Sequence, residues 1–124
     1  MAGLEIETTE TDAGVPVVSI RGEIDLHTCP QLRTTLQRLM EAKKEHIVLN
    51  LAEVPYLDSA ALGILVDAVR RAREMGGGIY LVQVTPFVLR AFEITRLIKI
   101  FQVHDTLGSA LEAIVARQGA RTEA

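Results

Sequence analysis

"HIVLNLAEVPYLDSAALGIL", residues 46–65, decides the fold. Its first nine residues, to Val54, are nearly all apolar with no regular polar alternation. Strands buried on both faces read this way. Pro55 ends the strand. A helix is predicted from about residue 59 to residue 75, with Leu62, Leu65, Val66 and Val69 as its inner stripe. Asp67, Arg70, Arg71, Arg73 and Glu74 fall mostly outside that stripe, as on the wet side of a packed helix. Gly76–Gly78 then supply the left-handed exit.

The same alternation extends in both directions. Upstream, "LEIETTE" (4–10) alternates apolar and polar as a half-exposed strand, "TDAG" (11–14) is a turn, and "VPVVSIRG" (15–22) is a β-branched second strand. The short connection makes that pair antiparallel. Thr28 and Gln31 are spaced as a capping box, Pro30 is tolerated in a first turn, and Leu32, Leu36, Leu39 and Met40 give the next helix its buried stripe. Downstream, "IYLVQV" (79–84) is a core strand, Thr85 and Pro86 are a cap and first-turn pair, and "FVLRAFEITRL" (87–97) is a short helix. "IKIFQV" (98–103) reads as a strand and 104–118 as a last helix burying Leu107, Leu111, Ile114 and Val115. The order β-β-α-β-α-β-α-β-α predicts an α/β fold with a largely parallel sheet and an antiparallel hairpin at its start.

Composition narrows the function. A chain of 124 residues predicts one domain, 1–124, with its core over about 4–117 and a frayed tail over 118–124. At 4% aromatics, the core must be built from Leu, Ile, Val and Ala. A net charge of −3 argues against direct nucleic-acid binding. No apolar run is long enough for a membrane span, and "MAGLEIETTE" has no signal-peptide character, so a cytoplasmic location is expected. The one cysteine, Cys29, excludes an internal disulfide and reads as a small apolar residue at a helix start.

In sheets of this kind, sites gather in loops at the carboxyl ends of strands. "RGEIDLHT" (21–28) and "PYLDSA" (55–60) are two such loops, and they place Glu23, Asp25, Asp58 and Ser59 on one rim. His27, His46 and His104 show no metal-ligand spacing, so no metal is expected. Ser59 lies in D-S-A rather than in a G-x-S-x-G elbow, which argues against an enzyme. No glycine-rich phosphate loop is present, and no cofactor is expected. Two readings of Ser59 remain open on spacing alone: a helix cap, or an exposed hydroxyl at a positive helix end.

"GEIDLHTCPQLRTTL" (22–36) and "LDSAALGIL" (57–65), in this order and spacing, resemble the two signature stretches of the STAS domain, most closely those of bacterial anti-sigma factor antagonists. The resemblance covers roughly residues 4–117. It implies a small mixed, mostly parallel sheet of about four to five strands, with helices packed chiefly on one side. It also implies partner switching: the unmodified antagonist binds an anti-sigma factor that is a serine kinase, phosphorylation releases it, and a serine phosphatase resets it. Carried over by position, Ser59 is the phosphoacceptor, Asp58, Ala60 and Ala61 flank it, and Gly22, Glu23, Asp25, His27 and Thr28 lie on the partner-binding edge. The family often has Ser or Thr and then Gly where this chain has Ala60 and Ala61. That removes a second hydroxyl and adds a methyl where a partner or backbone comes close. A rival within the same fold is a subunit docked on a lipid-transporting ABC ATPase, in which Ser59 is never modified. The "GEIDLHTCPQL" stretch leans towards the antagonist branch.

Overall fold

The computed structural model describes residues 3–123. Along the chain run β1 (Glu5–Glu10), β2 (Pro16–Arg21), α1 (Cys29–Glu41), β3 (His46–Glu53), α2 (Ser59–Glu74), β4 (Gly78–Val82), α3 (Pro86–Ile94), β5 (Gln102–His104) and α4 (Leu107–Glu123). The five strands form one sheet in the order in which they occur in the chain. Only β1 and β2 are antiparallel; every later pairing is parallel. The hairpin is closed by a tight turn in which Gly14 takes a φ of 81° and its N–H donates to the Thr11 carbonyl at 2.9 Å. Glycine meets that positive φ without strain.

β3 carries the centre of the sheet. Its Ile47, Leu49 and Leu51 face the larger core with α1, α2 and α3, while Val48 faces a smaller core closed by Ala110 and Ile114 of α4. This two-sided burial is what its unbroken apolar run requires. Three helices thus cover one face and α4 part of the other. The antiparallel start, the parallel remainder and the uneven helix distribution agree with the expected architecture.

Several local expectations are corrected. The inner stripe of α2 is Ala61, Ile64, Leu65, Ala68, Val69 and Ala72, with Leu62 and Val66 only half-buried. Alanines let the helix lie close to the sheet, and a count weighted to large side chains misplaces the stripe. Val115 is 59% exposed, because α4 turns Ala110 and Ile114 inward. Strand β5 is three residues long rather than the six of "IKIFQV". Arg96 takes a left-handed φ of 63° and leads into a 3₁₀ turn at Leu97–Lys99, which tucks Ile98 and Ile100 against the larger core. Phe101 is buried beside Phe92, with ring centroids 5.0 Å apart. Thr85 makes no side-chain cap; its hydroxyl donates to the Val54 carbonyl at 2.7 Å and ties the start of α3 to the end of β3. Helix α4 runs Leu107–Glu123, and residue 124 lies outside the described residues.

The glycine run after α2 has two separate duties. Gly76, at a φ of 87°, makes the left-handed exit. Gly77 is required by space, because a Cβ there would overlap the Glu45 carbonyl at the neighbouring α1–β3 turn. Gly77→Ala should therefore lower stability by about 1–3 kcal/mol or more, as overpacked sites do. A fall in the urea midpoint with an unchanged m-value is the expected reading.

Candidate functional site

The two rim loops are joined by backbone before any side chain is considered. Past the ends of β2 and β3, Gly22 N–H donates to Glu53 O at 3.0 Å, Ile24 N–H to Tyr56 O at 3.1 Å, and Asp58 N–H to Ile24 O at 3.1 Å. Ile24 and Leu57 thereby form a short parallel bridge, both buried. Gly22 sits at a φ of 119°, a conformation that L side chains rarely adopt.

Asp58 is the N-cap of α2. Its Oδ1 accepts the Ala61 N–H at 3.0 Å, and its Oδ2 accepts the Leu26 N–H at 3.0 Å. One carboxylate thus caps a helix and fixes the opposite loop. Because Asp58 takes the cap, Ser59 is the first helical residue. Ser59 is exposed, and its hydroxyl has no hydrogen-bond partner among the described residues. Of the two readings left open by spacing, the cap belongs to Asp58 and the free hydroxyl to Ser59.

Asp25 organises its own loop. Its Oδ1 accepts the N–H groups of His27 and Thr28, each at 2.9 Å. The Thr28 amide holds the Asp25 carboxyl below its ordinary value; burial opposes it, and the Thr28 hydroxyl and the His27 amide add to the lowering. Thr28 precedes α1, but the expected capping box does not form. The Thr28 hydroxyl donates to Glu23 O at 2.8 Å and accepts from Asp25 N–H at 2.9 Å, so it is turned back into the loop. Gln31 reaches elsewhere: its Oε1 accepts the Leu4 N–H at 2.9 Å.

The remaining candidates divide cleanly. Glu23 and His27 are exposed on the rim, whereas Gly22 and Thr28 are engaged within the chain. Ala60 is half-buried, and Ala61 is fully buried in the larger core. The Ala61 methyl therefore packs inward, so of the two expected neighbours, a partner or the chain's own backbone, it faces the chain's own core. His46 and His104 lie away from this rim, each with its ring near that of Tyr80. Among the described residues no three His, Cys, Asp or Glu side chains gather as metal ligands.

Sequence reasoning missed three side chains. Leu26 is 67% exposed, Phe87 56% and Tyr56 40%; they are three of the five large apolar side chains that stand exposed among the described residues. Tyr56 lies in the loop leading to Asp58, and its ring centroid is 5.6 Å from that of Phe87 at the start of α3. The signal was present as apolar letters inside otherwise polar loops. Local clustering of such side chains marks interaction surfaces.

A family model described as "STAS domain" matches residues 6–110. The chain belongs to the STAS domain family. It is 32% identical over 109 residues to an anti-sigma F factor antagonist of Paenibacillus polymyxa, covering 87% of this chain and 92% of the relative. Its fold is similar to the crystal structure of an anti-sigma factor antagonist from Mycobacterium paratuberculosis, with a TM-score of 0.81 and 30% identity over 90% of this chain and 94% of the other. The Bacillus cell fate determinant SpoIIAA, solved in its phosphorylated form, shares the fold with a TM-score of 0.69 at 18% identity, over 89% of this chain and 99% of that one.

Two outcomes test this geometry. Asp58→Ala should cost about 0.5–2 kcal/mol, the usual loss for a helix cap. It should also speed exchange of the Leu26 amide, read by NMR hydrogen exchange, while Asp58→Asn should preserve the cap better than the loop contact. The second outcome concerns pH. A carboxyl lowered in the folded state stabilises fully above its unfolded value, near 3.9, and that stabilisation is lost as pH falls through the folded value. The Asp25 side-chain carboxyl resonance should therefore titrate mainly below about pH 4.

Proposed function

We propose that this protein is an anti-sigma factor antagonist whose docking on an anti-sigma factor serine kinase is gated by phosphorylation of Ser59. The observation that carries the reading is the placement of Ser59: an exposed, unbonded hydroxyl at the first position of α2, on a rim where Leu26, Tyr56 and Phe87 leave apolar surface open to solvent. The relative in Paenibacillus polymyxa, which matches over most of both chains, supports the class of function. A neighbour of the same fold that exists in a phosphorylated form supports the chemistry.

The unmodified face docks by covering that apolar surface, with Glu23, Asp25 and His27 at its polar edge. Gly22 and Thr28 hold the edge in shape from inside. The kinase transfers the γ-phosphoryl group of ATP to the Ser59 oxygen; that oxygen gains the P–O bond, loses its proton, and ADP leaves. The new group carries about −1.5 to −2 charges beside the Asp58 carboxylate. The fold tolerates it, because the hydroxyl is outside the core and the helix start offers unpaired N–H groups. A docked partner does not tolerate it, because the dianion would have to be desolvated in the interface. A loss of about 2.7 kcal/mol lowers affinity a hundredfold. Removal of the group by a serine phosphatase restores docking.

The decisive experiment incubates the protein with a purified anti-sigma factor kinase and ATP, then maps the phosphate by mass spectrometry. Phosphate is expected on Ser59 alone. Ser59→Ala should fold normally, accept no phosphate and keep the kinase bound in the presence of ATP. Ser59→Asp should bind at least about tenfold more weakly, a difference near 1.4 kcal/mol. A folded Ser59→Ala protein that fails to bind would make the hydroxyl a contact instead of a gate.

A further inference from the structure

Gly63 is the fifth residue of α2, and neither ordinary reason for a glycine applies to it. Its φ is not positive, and a Cβ built on it would meet no atom within 4 Å. Alanine is a better helix former than glycine at an exposed interior position. The fold therefore gains nothing from the missing methyl, and only something outside the chain gains from it.

Gly63 opens onto a groove of about 310 Å³ between α1 and α2. The walls include Leu36 and Met40 of α1 and Ile64 and Ala68 of α2, and Leu26 stands at its head. Arg33 and Arg71 flank it, one from each helix, and neither has a carboxylate partner among the described residues. The one acid of the lining, Asp67, has its carboxylate 3.4 Å from Arg70. A chain with a net charge of −3 thus presents a cationic mouth here. The groove is also continuous with the Ser59 rim, since Ala60 lines it and Leu26 is held by Asp58.

We propose that this groove seats an acidic, amphipathic segment of the anti-sigma factor, and that Gly63 lets the backbone of that segment rest directly on α2. The inference rests on the function proposed above and names the chemistry of the partner at the same site. Apolar side chains of the segment meet the exposed Leu26 at the head of the groove, and its carboxylates meet Arg33 and Arg71. An acidic occupant also sharpens the gate, because a phosphate on Ser59 repels it at the head of the groove.

The test titrates wild type, Gly63→Ala, Gly63→Gln and the double variant Arg33→Glu/Arg71→Glu against each purified anti-sigma factor of the source organism. Ser59→Asp is the control for the gate. Gly63→Ala should melt roughly 2–6 °C higher than wild type, yet bind at least tenfold more weakly, and Gly63→Gln should bind more weakly still. The double variant should lose at least tenfold, and its binding should depend less on salt than that of wild type. Unchanged binding by both Gly63 variants, with Ser59→Asp still defective, overturns the groove and leaves the gate standing. Full binding by Ser59→Asp, with the groove variants defective, overturns the gate and leaves the groove and its occupant standing. A lower melting temperature for Gly63→Ala would show that the fold itself needs the glycine. If the Gly63 variants change the sedimentation of the protein alone, the occupant is a second copy of the chain and the proposal falls.

Discussion

The rim depends on the two oxygens of the Asp58 carboxylate. One satisfies an amide of the first turn of α2, and the other holds the Leu26 amide across the gap between loops. A serine or threonine at this position could cap the helix, but its single oxygen would leave the second loop unheld. Ionisation strengthens both bonds and suits the positive end of the helix. Because the cap is taken, Ser59 is displaced one place inward and its hydroxyl is released from structural work. The exposed serine is thus a consequence of the neighbouring acid.

The same economy explains which surfaces stay open. Helix α4 covers β3 and β4 only as far as Val48, Tyr80 and Val82, where the smaller core lies. Beyond it, Ser19, Arg21 and Ala52 are exposed on the sheet. On the opposite face, α1, α2 and α3 cover the sheet, and the loops beyond the strand ends carry the rim. Backbone bonds continue the β2–β3 pairing through Ile24 and Leu57, so the loops inherit the rigidity of the sheet. A docking surface built in this way needs little ordering on binding.

Much of this was legible in the letters, and the failures share a cause. The period-2 and period-3.6 patterns, with glycine and proline as punctuation, were enough to order the five strands and four α-helices among the described residues, but not the 3₁₀ turn at Leu97–Lys99. The loops on one rim followed from that order. What the letters hid was competition for the same polar atoms. Thr28 and Thr85 are good caps in isolation, yet each hydroxyl binds a carbonyl brought close by the fold, Glu23 O and Val54 O. Small residues misled in the same way: Ala61, Ala68 and Ala72 carry little weight in a hydrophobic count but form the buried face of α2. The exposed trio of Leu26, Tyr56 and Phe87 was visible in the loops, but only the coordinates show that these side chains do not fold back into the core.

Charge, rather than shape, is the economical basis for the proposed switch. A phosphate at the start of α2 gains roughly 0.3–1 kcal/mol from the helix end when exposed. The adjacent Asp58 carboxylate works against that gain, so the free protein has little electrostatic reason to rearrange. The partner-bound state differs, because repulsion and desolvation act where water is excluded. Truncating or opposing a buried charge in an interface costs on the order of 2–5 kcal/mol. The modification therefore falls mainly on the complex, and the free protein serves as an unaltered carrier of the mark. A conformational switch would instead have to break the Asp58 clamp and the Ile24–Leu57 bridge together.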